Sequence, residues 1–202
     1  MRSVSSLVAL SMLLASEALA DAPWRPDGTS DGLGVEKRDV GGSSFSEFRV
    51  TTTSSLELQS VCDAIYAKGL DGRSNVKFKR REVLRKSDTE RWVYEQIAVP
   101  WVSDRDYVMH TKLEQSPAAS GRCEVSFETE NDPSHPPLRG FVRIPVIRGR
   151  WSVTPTRDGR LWVSYQVFSD PGGGIPAFLA SGGQRGAAVD FVKLVLARAA
   201  GR

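Results

Sequence analysis

The fold class predicted by this sequence is α+β, a long antiparallel meander curved around a C-terminal helix, and three observations predict it. From Val76 onward, apolar and polar residues alternate for about ninety residues, the period of a half-buried strand. Before that stretch, Leu58, Val61, Cys62 and Ile65 recur at helical spacing. After it, a segment from about Ala177 to Ala199 carries Phe178, Leu179, Val189, Phe191, Val192, Val195 and Leu196, and as a helix it would run about 35 Å, enough to cross a sheet.

Taken in order, the chain opens on Arg2, an apolar run from Leu7 to Ala15, and Ala18-Leu19-Ala20. That is the pattern of a signal peptide over residues 1–20, with cleavage expected before Asp21 and a domain over residues 21–202. The apolar run falls well short of the roughly 20 residues that span a bilayer. Export is therefore expected, to a periplasm or to the medium.

Asp27 to Gly34 reads as turn chemistry, and Val35–Val40 and Phe45–Thr53 as a hairpin across Gly41-Gly42-Ser43. A helix over about 55–68 follows, with Ser54 and Glu57 spaced as a capping box and Gly69 as its stop. Successive strands are expected at Val83–Lys86, Arg91–Val99, Tyr107–Gln115, Arg122–Glu130, Gly140–Ile147, Arg150–Pro155 and Arg160–Phe168. Tyr107, Met109, Thr111 and Leu113 share one face, as do Cys123, Val125 and Phe127, and Leu161, Val163, Tyr165 and Val167. Such a sheet has one buried and one wet side. A single helix cannot fill a strongly bent concavity, so a cavity is expected between them.

The chain has 202 residues and a net charge of +3, suited to one domain with a sizeable core. Basic and acidic residues intermix except at Lys77, Lys79, Arg80 and Arg81, which read as a solvated face, so no nucleic-acid partner is expected. Cys62 and Cys123 both fall on apolar faces and are compatible with a disulfide or with two buried thiols.

Four blocks resemble the START (StAR-related lipid transfer) family, within the helix-grip group of folds. They are Pro100-Trp101-Val102-Ser103-Asp104-Arg105-Asp106-Tyr107-Val108; Pro136-Pro137 with Gly140-Phe141-Val142-Arg143; Arg148-Gly149-Arg150-Trp151 with Pro155; and Asp170-Pro171-Gly172-Gly173 with Pro176. The resemblance runs from about Trp24 to Arg198. It implies a sheet of about nine strands gripping the C-terminal helix, with a lipid or sterol-like ligand between them and the helix and its preceding loop as a lid. A monomer making transient contact with a membrane surface would suit that role.

The expected ligand lining is Met109, Thr111, Val125, Phe127, Val142, Ile144, Val163 and Tyr165 from the sheet, with Phe178 and Phe191 from the helix. Arg105, flanked by Asp104 and Asp106, is expected in an ion-pair network at a sheet corner, the competing reading being a head-group ligand. Arg148-Gly149-Arg150 is expected to mark a bulge or bend. His110 should point outward and His135 lies in a proline-rich loop, so neither a catalytic triad, a metal site nor a cofactor is expected. The alternative to a carrier is a cyclase- or aromatase-like enzyme, for which Tyr165 is the candidate acid or base.

Overall fold

A computed structural model describes residues 22–66, 77–99 and 102–201, with the backbone alone at 77 and 177–181. The expected signal peptide and the Gly69 helix stop lie outside the described residues.

The N-terminal strands are β1 (Arg25–Ser30), β2 (Leu33–Asp39) and β3 (Ser46–Ser54), followed by helix α1 (Leu58–Ile65). The meander comprises β4 (Lys77–Lys86), β5 (Glu90–Ala98), β6 (Asp104–Gln115), the single turn α2 (Pro117–Ser120), β7 (Cys123–Glu130), β8 (Phe141–Arg143), β9 (Val146–Pro155) and β10 (Leu161–Asp170). Helix α3 (Ala177–Ala199) closes the fold. The sheet order is β1-β2-β3-β10-β9-β7-β6-β5-β4, antiparallel throughout, so the last strand pairs with the N-terminal hairpin. The short β8 alone runs parallel, alongside Asp104–Asp106 of β6, beyond the point where β7 pairs with that strand. No helix among the described residues is long and apolar enough to cross a membrane.

Four expectations need correction. Arg25–Ser30 is a strand rather than a loop, joined to β2 through Asp31 and Gly32 at φ 52° and 80°, a two-residue hairpin turn. Helix α1 begins at Leu58, because β3 stays paired with Leu161 as far as Ser54; the Ser54 hydroxyl accepts the Leu56 N–H instead of capping. The break after β8 falls at Pro145, which has no N–H to give a ladder. Strand β9 then passes unbulged through Gly149, paired with both Val167 and Phe127. Glycine is required there for space: a Cβ would stand 2.1 Å from the Gln166 carbonyl oxygen and 2.4 Å from the Phe127 ring.

The core lies where α1 and α3 cover β3, β10, β9 and β7. It is built largely of valines, including Val35, Val50, Val61, Val153, Val163 and Val192. Such β-branched side chains suit a pleated, covered surface. Within it Cys62 of α1 and Cys123 of β7 form a disulfide, their Cα atoms 5.8 Å apart, which resolves the two readings of the cysteines. On the outer side, Asp27 binds Lys37 at 2.7 Å and Arg185 of α3 at 2.9 Å, tying the helix to the N-terminal hairpin.

Candidate ligand cavity

Between α3 and the β4–β6 side of the sheet the packing opens into a cavity of about 670 Å³. Alternation along three strands builds its wall. Arg91, Val93, Glu95, Ile97 and Val99 face it from β5 and the residue beyond, Arg105, Tyr107, Met109 and Thr111 from β6, and Val125 and Phe127 from β7. Ile65 of α1 and Gly183, Gln184, Ala187 and Phe191 of α3 close the other side.

Of the residues expected at a ligand site, Met109, Thr111, Val125, Phe127, Ile144, Tyr165 and Phe191 line this cavity. Tyr165 lies at the centre of an aromatic group, its ring centroid 4.3 Å from that of Trp151, 5.8 Å from Phe127 and 6.3 Å from Phe191. Two do not line it. Val163 is fully buried in the solid core, opposite Val153. Val142 packs beneath the Gly172-Gly173 turn, where a Cβ added to Gly173 would stand 3.2 Å from its methyl. The Phe178 side chain lies outside the described residues.

The cavity also holds a polar row absent from the expected lining. Arg81, Glu95 and Tyr107 stand directly opposite one another across β4, β5 and β6. Arg81 Nε lies 2.7 Å from Glu95 Oε1, and the Tyr107 hydroxyl donates to the same carboxylate. Burial pushes the Glu95 carboxyl above its usual range, against the pull of Arg81 and of the Tyr107 hydrogen bond. It also drives the Tyr107 phenol well upward, with the neighbouring Glu95 charge adding to the effect. Burial alone raises the Tyr165 phenol above its usual range. On α3, Gln184 Nε2 donates to the Ser169 carbonyl at 2.7 Å, while its Oε1 is buried without a hydrogen-bond partner.

A signal for these residues was present. Arg91 and Glu95 keep the two-residue phase of Val93, Ile97 and Val99, so the alternation that buries those apolar residues also buries the two charged ones. Arg81 belongs to the cluster expected to be a solvated face and instead reaches the cavity, because β4 begins at Lys77 and pairs along β5.

The Asp104-Arg105-Asp106 triplet is split by alternation rather than joined in one network. Asp104 pairs with Lys79. Asp106 is fully buried, gripped by Arg143 through two contacts of 2.9 Å and by the Tyr94 hydroxyl at 3.0 Å. Arg105, 2% exposed, donates to the Ser103 carbonyl and to the Pro171 and Gly172 carbonyls at 3.3 Å each. Its guanidinium thus braces the turn before α3, in which Gly172, Gly173 and Gly174 adopt φ of 65°, 68° and 69°. Any Cβ-bearing residue would be strained through that turn.

No family model matches the sequence. The chain is 30% identical over 174 residues to the uncharacterized protein PA1579 of Pseudomonas aeruginosa, covering 83% of this chain and 82% of that one. Among solved structures it is similar to a STAR-related lipid transfer protein from Xanthomonas axonopodis, at 27% identity and TM-score 0.70, covering 87% of this chain and 98% of the other. Human StAR-related lipid transfer protein 5 superposes with TM-score 0.73 at 16% identity, over 87% of this chain and 86% of that one, a likeness of fold. The curved sheet, the gripped helix and these similarities agree: the chain belongs to the START family, with the helix-grip fold.

Proposed function

We propose that this protein binds one amphipathic lipid or similar hydrophobic ligand in its cavity and carries it, without transforming it, outside the cytoplasm. The cavity is the observation that supports this reading. Its volume falls within the range typical of small-molecule sites. The cavity opens to solvent and its lining is mainly apolar, so a hydrophobic ligand entering it removes apolar wall from water. Each methylene of a lipid chain entering it gains about 0.8 kcal/mol. The Arg81–Glu95–Tyr107 row gives a polar end of the ligand a place to hydrogen-bond, while Met109, Ile97 and Phe127 receive the chain.

Export is supported by the pattern of residues 1–20 and by the Cys62–Cys123 disulfide, since disulfides persist mainly in oxidising compartments. Within this reading the protein acts as a monomer that meets membranes transiently, and the glycine turn with the start of α3 serves as the lid.

Mass spectrometry of the organic extract of protein purified from its native compartment tests the proposal. One equivalent of an amphipathic lipid is expected, and an extract free of hydrophobic ligand would overturn it. A Tyr165→Phe variant should bind that ligand about as well as the wild type, whereas an enzyme using Tyr165 would lose turnover.

A further inference from the structure

The alternation that sends Met109 and Thr111 into the cavity sends His110 to the opposite face of the sheet, into a cluster that ligand carriage does not use. The His110 imidazole lies flat on the Trp92 indole, with ring centroids 4.1 Å apart and planes 7° apart. Its Nδ1 is 2.6 Å from Glu130 Oε1, and Glu130 Oε2 accepts the Trp92 indole N–H at 2.8 Å. Its Nε2 is buried without a hydrogen-bond partner, the Glu90 carboxylate standing 3.7 Å away. One donor atom each from His110, Glu128 and Glu130 lies within 4.8 Å of the others. His110 meets the Glu90 and Glu130 carboxylates from its two ring nitrogens, and Glu128 stands opposite it on β7. Three carboxylates thus stand around one imidazole, with Lys112 opposite Glu90 and Arg148 opposite Glu128 across the sheet.

We propose that His110, Glu128 and Glu130 form a binding site for a divalent transition-metal ion of the Zn²⁺ class. One imidazole and two carboxylates are a donor set suited to such ions. The ion takes the place of the proton held between Nδ1 and Glu130 Oε1, and Glu128, opposite His110 on β7, turns in to complete the set. That proton moves to Nε2, so the bound imidazole stays neutral and presents Nε2–H toward Glu90. Two of the three ligands already have an outer partner: Glu90 faces the other imidazole nitrogen, and the Trp92 N–H holds the second Glu130 oxygen. The signal was hidden in the sequence because the three ligands come from adjacent strands and meet only through the β6–β7 register.

The test is calorimetric titration of tag-free, chelator-stripped protein with Zn²⁺, with visible absorption of Co²⁺ as a second readout. One equivalent should bind. His110→Phe, which keeps a ring on Trp92, should abolish binding and the Co²⁺ bands; Glu128→Gln should weaken it at least about tenfold, and Trp92→Phe about 10- to 100-fold. His135→Ala, outside the cluster, should change nothing. The proposal is overturned if the wild type binds Zn²⁺ no tighter than about 1 mM, or if His110→Phe binds as the wild type does. Neither result would bear on the cavity, which lies on the other face.

Discussion

The two sides of the molecule share one sheet and one helix, yet one is solid and the other hollow. Under α1, strands β3, β10, β9 and β7 interlock small β-branched side chains, with the disulfide among them. Toward β4, β5 and β6 the wall carries long, aromatic and charged side chains, the bonded row Arg81, Glu95 and Tyr107 with Met109 beside it, and leaves a hollow against α3. Helix α3 serves both, burying Val189 and Val192 in the core and presenting Gln184 and Ala187 to the cavity. The contrast teaches that a sheet too curved for one helix concentrates its stability on the side where a second helix helps. The uncovered side becomes a binding volume.

The largest effect should come from the staple of the solid side. Its cysteines are 61 residues apart, so replacing both by serine should cost about 4 kcal/mol by chain entropy, read as a fall in the urea midpoint. An unchanged midpoint would mean that the solid side does not depend on it. Next comes Gly149→Ala, where two sides of the molecule meet between Phe127 and Gln166; the added methyl should cost about 3 kcal/mol or more, because one of its neighbours is backbone. A paired substitution separates solid from hollow most cleanly. Val163→Ala should cost roughly 2 kcal/mol, while Met109→Ala, facing open volume, should cost no more than about 1 kcal/mol. Equal losses would erase the distinction.

The smallest effect is a slope. Glu95 has its carboxyl raised above the usual 4.5 by burial, so its contribution to stability is present below pH 4.5 and is lost as pH rises through the folded value. Relative to Glu95→Gln, the wild type should lose stability as pH climbs out of the acid range in a series of denaturation curves. Parallel profiles would show that Glu95 is not buried as described.

Much of this was legible in the sequence, for a physical reason. Strands β5 to β7 and β10 each have one buried face, so their alternation survives in the residues, and with α1 and α3 it predicts the fold. Strand β1 was invisible because Arg25-Pro26-Asp27-Gly28-Thr29-Ser30 buries no apolar face; backbone bonds to β2 and the ion pairs of Asp27 hold it. Most of the cavity lining could be read from the same alternation, although Val163 shows that an inward residue need not meet a void. The polar row is less legible, because Arg81 belongs to the basic cluster expected to be a solvated face and Glu95 shares the phase of Val93 and Ile97 while carrying a charge.

Filling the cavity tests the account most directly. Ala187 faces it from α3, and Ala187→Trp would place an indole in the space assigned to the ligand. The wild type should take up one equivalent of an amphipathic lipid by native mass spectrometry, while the variant, with a denaturation midpoint close to wild type, should bind at least about tenfold more weakly. A folded variant that takes up the lipid as readily as the wild type would contradict it.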